Sequence, residues 1–146
     1  MIKVLMVCHG NICRSPIAEN IFKKLIIERS LSQYIMVASA ATSDEEEFNE
    51  IHVESQKVMR KHGIPFTSHK ARVIDLEKDT DWDYILYMDH YNKDALYEMY
   101  EDHENIHALC PEYEIDDPWY TLDFDKTYEE ILEGCTYWMD KISATI

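Results

Sequence analysis

Apolar positions along the chain follow two rhythms that alternate from end to end. Ile2–Val7 is a continuous apolar run, rich in β-branched residues and interrupted only by Lys3. Such a run reads as a strand buried on both faces, as in parallel sheets. Cys8–Ser15 follows at once, and then Pro16, well placed near a first helical turn. Ile17, Ile21, Phe22, Leu25 and Ile26 then recur at helical spacing, with Glu19, Lys23 and Lys24 between them. The opening is therefore strand, tight loop, helix.

The alternation continues. Ile35–Ala38 predicts a second strand, and Thr42–Asn49, polar and acidic, a loop. Val53–His62 predicts a helix, stopped by Gly63 at C′ and by Pro65 soon after. Tyr84–Met88 reads as a buried strand and Tyr91–Tyr100 as a short amphipathic helix. Ile106–Leu109 reads as a weak strand ended by Pro111. Phe124, Tyr128, Ile131, Cys135, Trp138 and Ile142 advance by fours and threes, predicting a long terminal helix capped by Asp123 or Asp125. Strands alternating with helices imply an α/β fold with three layers: a central four-stranded parallel sheet, helices on both faces, and a loop after the first strand. A chain of 146 residues fits one such domain, residues 1–146. In these sheets ligands bind beyond the C-terminal ends of the strands, where Cys8–Ser15 falls.

Charge narrows the partners. There are 14 basic and 29 acidic residues, a formal net charge of −15. On average this field repels nucleic-acid backbones and anionic membranes, so neither is expected as a partner. It does not exclude a small anion held by backbone N–H groups and one Arg. Met1–Gly10 is too short to span a bilayer and has no basic stretch or cleavage site, so a cytoplasmic location is expected. In that setting Cys8, Cys13, Cys110 and Cys135 are expected as thiols. An acidic surface favours a monomer.

The chemistry lies in Cys8-His9-Gly10-Asn11-Ile12-Cys13-Arg14-Ser15. A loop entering a helix N-terminus can turn several backbone N–H groups inward as an anion cradle, here from His9 to Arg14. The helix's partial positive charge favours the thiolate of a Cys held there. Arg14 offers a planar fork matched to two phosphate oxygens. Ser15 can donate a hydrogen bond to the thiolate. Gly10 is expected to supply a backbone conformation that most residues resist. Alone, Cys8 would read as a small buried hydrophobe at a strand end. Zinc is disfavoured, because Cys8 and Cys13 lack the second ligand pair of a structural site.

Cys8–Ser15 with Pro16, Ile17, Ala18 and Glu19 resembles the signature of the low-molecular-weight protein tyrosine phosphatases. The resemblance continues through Ser39–Ser43, Lys61–Ile64, His69–Arg72, Asp83–Asp89 and Asp117–Tyr120. It implies a hydrolase acting on phosphotyrosine proteins or small aryl phosphates through a phosphocysteine, releasing inorganic phosphate, with no cofactor and no metal. It implies that Cys8 attacks phosphorus, Arg14 clamps the phosphate, and Asp117 protonates the leaving phenolate and then activates water. Asp116 is the neighbouring competitor, but the family places its acid directly before Pro. The resemblance also gives Asn11, Ser15, Ser39 and His69 to the support of the loop, and Trp119 and Tyr120 to an aromatic wall. Cys13 matches a second family cysteine that either pairs reversibly with Cys8 on oxidation or only packs there.

The chain departs from the family where Glu45 replaces a usual cleft aromatic, and where Glu46–Glu54 lacks the usual Gly and Pro. A more open and more acidic cleft is expected. Three other readings compete. An arsenate reductase of this fold needs cysteines that Asp89–Tyr100 lacks. A protein arginine phosphatase tends to carry Thr where this chain has Ile12. A non-catalytic phosphotyrosine-binding module would have lost Cys8 or Asp117, and both are present.

Overall fold

The computed structural model describes residues 1–146. Its elements run β1 Ile2–Cys8, α1 Arg14–Glu28, β2 Ile35–Ala41, α2 Val53–Lys61, β3 Tyr84–Tyr87, α3 His90–Met99, β4 Ile106–Ala108, α4 Pro118–Thr121 and α5 Phe124–Ser143. The four strands form one parallel sheet in the order β2-β1-β3-β4. The predicted α/β architecture is the observed one.

β1 is central, and its alternate side chains serve two cores. Val4, Met6 and Cys8 face the larger apolar cluster with α1, α2 and α5, while Leu5 and Val7 face a smaller one with Leu96 of α3, Ile74 and Trp82. Burial on both faces is why β1 reads as an unbroken apolar run rather than an alternating one.

Several boundaries moved. β2 runs on through Ser39, Ala40 and Ala41, which pair with Met6, Val7 and Cys8. Their small side chains carry no apolar pattern, but β1 needs a partner to its end. α1 starts at Arg14, two residues before Pro16, so the cradle winds directly into the helix. The segment before β3's successor helix is fixed by a reciprocal cap. Asp89 accepts from the Asn92 amide, and the Asn92 side chain accepts from the Asp89 amide. Asp123, rather than Asp125, caps α5 by accepting from the Lys126 amide. Gly63 holds φ 68° past the end of α2, the left-handed conformation expected of it. α4 was not foreseen. It is one turn, with Asp117 as its cap and Pro118 at its first position.

α5 packs on α1 and on the exit from β4. The Trp138 indole N–H donates to the Ala108 and Leu109 carbonyls, both at 3.0 Å. The approach requires Gly134: a Cβ there would lie 2.7 Å from Leu109 Cγ, 2.9 Å from Cys110 Sγ and 3.0 Å from the Leu109 carbonyl oxygen. Gly134→Ala gains about 1 kcal/mol of helix propensity. It loses more to overpacking against a backbone that Trp138 holds in place. The expected result is a net loss of ~1–2 kcal/mol, seen as a fall of roughly 3–6 °C in Tm by calorimetry. An unchanged or raised Tm would show that the β4 exit can yield.

Candidate active site

The site forms where β1 ends. Cys8 is its last residue, and its Sγ lies beneath a turn of inward-facing donors. The Asn11 amide approaches to 3.3 Å, the Ser15 amide to 3.4 Å and Ser15 Oγ to 3.0 Å. These N–H groups at a helix start suit an anion.

The turn's strain sits on Asn11, not on Gly10. Asn11 has φ 59° and is fully buried, whereas Gly10 has no positive φ. Sequence reasoning gave that role to the glycine, and the structure corrects it. Gly10 instead leaves room for a neighbour: a Cβ there would come within 3.1 Å of Glu46 Cγ, a tight contact that the Glu46 side chain would have to yield to. Asn11 tolerates its conformation because every polar group it has is engaged. Its Nδ2 donates to Ser15 Oγ at 2.8 Å and Ser39 Oγ at 2.9 Å. Its Oδ1 accepts from the Arg72 amide at 3.1 Å, and its carbonyl lies 2.8 Å from His69 Nε2. A left-handed residue costs ~1–3 kcal/mol and persists only when so over-determined. Ser39 in turn donates to Glu19. Ser15, Ser39 and His69 thus all lie around Asn11, the residue that shapes the turn.

Arg14 is 2% exposed, and a buried cation must be paired. Its Nη1 donates to Asp89 Oδ2 at 2.6 Å and to the Ile115 carbonyl at 2.8 Å. Its Nη2 lies 3.5 Å from Asp117 Oδ2. Burial alone would lower its pKa, but Cys8, Asp89 and Asp117 outweigh burial and raise it. One edge of the guanidinium is therefore locked to β3's exit, and the other lies beside Asp117. Asp89 was quoted in the sequence only as a landmark. The signal that could have found it is its place: an acid just past the third apolar strand, where such sheets gather their sites.

Asp117 caps α4 by accepting from the Trp119 amide through Oδ1 at 3.0 Å. Its other oxygen faces Arg14. Asp116 is exposed and turned away into an adjoining groove. Trp119 and Tyr120 line the same hollow as Cys8, His9, Gly10, Ile12, Cys13 and Arg14, and Glu45 and Glu46 line it too. His9 Nε2 is 3.1 Å from Glu45 Oε2, so the acidic wall expected from the sequence closes on the cradle itself. Burial pushes the Cys13 thiol up to about 12, with Cys8 and Asp117 adding to the effect. All four cysteines are free thiols.

His52 was missed altogether. Its amide donates to the Ile12 carbonyl at 2.9 Å. Its Nδ1 accepts from the Glu54 amide at 3.1 Å and so caps α2. Its ring stacks on Phe124 and meets Trp119 edge-on. Arg72 is a second missed support: its guanidinium is held by both oxygens of the buried Asp79 at 3.0 Å each, which fixes the amide that Asn11 uses.

Comparison with known proteins agrees with this geometry. A family model described as low molecular weight phosphotyrosine protein phosphatase matches residues 3–145. The human low molecular weight phosphotyrosine protein phosphatase is 39% identical, with 94% of each chain covered. The crystal structure of YfkJ from Bacillus subtilis superposes with TM-score 0.95 at 33% identity, covering 99% of this chain and 96% of that one. A Drosophila arginine phosphatase superposes with TM-score 0.88 at 31% identity, covering 97% and 98%. With a match that runs from β1 to the last turn of α5, the chain belongs to the low molecular weight phosphotyrosine protein phosphatase family.

Proposed function

We propose that this phosphatase hydrolyses phosphotyrosine and other aryl phosphate monoesters, with Cys8 as nucleophile, Arg14 as phosphate clamp and Asp117 as general acid and base. The observation that carries the assignment is the meeting of three side chains from distant parts of the sequence: Cys8 under its ring of donors, and Arg14 3.5 Å from Asp117. In the first step Cys8 Sγ forms a bond to phosphorus as the bond to the phenolic oxygen breaks, and Asp117 gives that oxygen a proton. In the second, Asp117 takes a proton from water, whose oxygen displaces Cys8 and releases inorganic phosphate. The inward N–H groups and Arg14 hold the charge on the equatorial oxygens throughout.

Ile12 and the exposed faces of Trp119 and Tyr120 border the hollow, which suits an aromatic leaving group. The arginine phosphatase among the structural neighbours makes phosphoarginine the second reading. A binding-only role is disfavoured, since nucleophile and acid are both present beside the clamp. No helix is long and apolar enough to cross a membrane. We place the protein in the cytoplasm as a monomer, acting on phosphotyrosine-containing proteins. Nucleic acid and membrane are not among its proposed partners, and no metal or other cofactor enters the scheme.

Steady-state hydrolysis of p-nitrophenyl phosphate and of phosphoarginine by the reduced protein tests this. Aryl phosphate is expected to give the higher kcat/KM by at least ~10²-fold, as leaving-group fit is read in kcat/KM. The reverse order would move the assignment to phosphoarginine, and no turnover of either would end it.

A further inference from the structure

The hollow over Cys8 is small, about 70 Å³. It opens past His9, Asp117 and Tyr120 into a groove of about 610 Å³ that shares those residues and Arg14 as a wall. The room for whatever flanks the phosphorylated side chain is therefore in the groove. Asp89, Glu114 and Asp116 line it, and Glu45 and Glu46 line the hollow itself. Counting Asp117, six carboxylates face one permanent cation, Arg14, which Asp89 and Asp117 already occupy. The two histidines there are also engaged: His9 with Glu45 at 3.1 Å, and His90 with Glu114 at 2.6 Å. Asp116 pairs with no cation and is exposed. Two tyrosines border the groove with their rings to solvent, Tyr91 at 72% and Tyr120 at 81% exposure.

We propose that this groove receives a lysine or arginine side chain beside the phosphotyrosine, so that the preferred substrates are phosphotyrosyl segments flanked by basic residues. The inference rests on the phosphatase reading above. Bound phosphate adds negative charge to a surround already in excess of it. The N–H groups and Arg14 serve the phosphate itself and leave the rim uncompensated. A cation supplied by the substrate offsets that excess, and the open faces of Tyr91 and Tyr120 offer it cation–π contact. An acidic flanking residue meets only repulsion. The groove is continuous with the catalytic hollow, so one short peptide reaches both.

The test uses the full chain and three phosphotyrosyl peptides that differ only in the residues on either side of the phosphotyrosine: Lys, Ala or Glu. The kcat/KM for the Lys peptide is expected to exceed that for the Glu peptide by about 30-fold at low salt, with the ratio shrinking as salt rises. Asp116→Asn should lower that ratio several-fold. Glu28→Gln, an equal change in net charge at the far end of α1, should leave the ratio as it is. Equal rates, or a preference for Glu, would overturn the inference while p-nitrophenyl phosphate turnover still upheld the phosphatase reading. A Lys preference that both variants change alike would also overturn it, because the preference would then come from overall charge and not from the groove. No turnover of any aryl phosphate would overturn both.

Discussion

Cys8→Ser is expected to turn over aryl phosphates at least ~10⁴-fold more slowly than the wild type while remaining folded. The reason is the set of distances around Sγ. The Asn11 and Ser15 amides stand 3.3 and 3.4 Å away, contacts sized for sulfur. A seryl oxygen on the shorter Cβ–O bond sits further from both. It also stays protonated at neutral pH, so it offers neither the charge nor the polarisability with which a thiolate attacks phosphorus. The Asn11–Ser39–Arg72 network that shapes the turn does not pass through the thiol, so the cup should survive. Three measurements on the variant check this: steady-state kcat, a thermal melt, and calorimetric titration with inorganic phosphate. Retained phosphate binding with lost turnover supports the assignment. Turnover above about one per cent of wild type would remove Cys8 from the nucleophile's role.

Asp117→Asn should lower kcat/KM, which reads the first step alone, by roughly 10²–10³-fold on phenyl phosphate and by much less on p-nitrophenyl phosphate. Phenolate is a poor leaving group that needs a proton as it departs, whereas the nitrophenolate leaves nearly unaided. The substitution is a clean probe because Asp117 does two jobs with two oxygens. Asn keeps an oxygen that can accept from the Trp119 amide, so the cap of α4 is retained. What it loses is the carboxyl oxygen beside Arg14 that the proposed mechanism uses to give and take a proton. The measurement is the ratio of variant to wild-type kcat/KM over a series of phenols of graded acidity. A loss that is the same for every phenol would mean that Asp117 only positions Arg14 and α4.

Much of this molecule could be read in the chain, and the failures share a cause. β1 was legible because its residues serve two cores, which forces an unbroken apolar run. α5 was legible because a long amphipathic helix repeats its spacing many times. α4 was not, since a single turn has no period to detect, and its Asp-Pro pair reads equally well as a plain bend. The end of β2 was hidden by small residues whose strand state is imposed by β1. At the site, the spacing of Cys8, Arg14 and Ser15 is local and was visible. The partnership of Arg14 with Asp89 spans 75 residues and exists only once β1 and β3 lie side by side. The strain on Asn11 was misassigned to Gly10 for a similar reason. A glycine's commonest use is a positive φ, but here Gly10 leaves room for Glu46, which arrives from another loop.

His52 touches the cradle through its amide, α2 through its imidazole and Trp119, the second residue after Asp117, through its ring edge. On the proposed function, local fraying and anion affinity become two readings of one equilibrium. An anion that favours the closed cradle makes openings of the first turn of α2 rarer, and whatever loosens that turn weakens the anion by the same factor. On that reading, breathing at the start of α2 is written into the occupancy of the proposed phosphate cup.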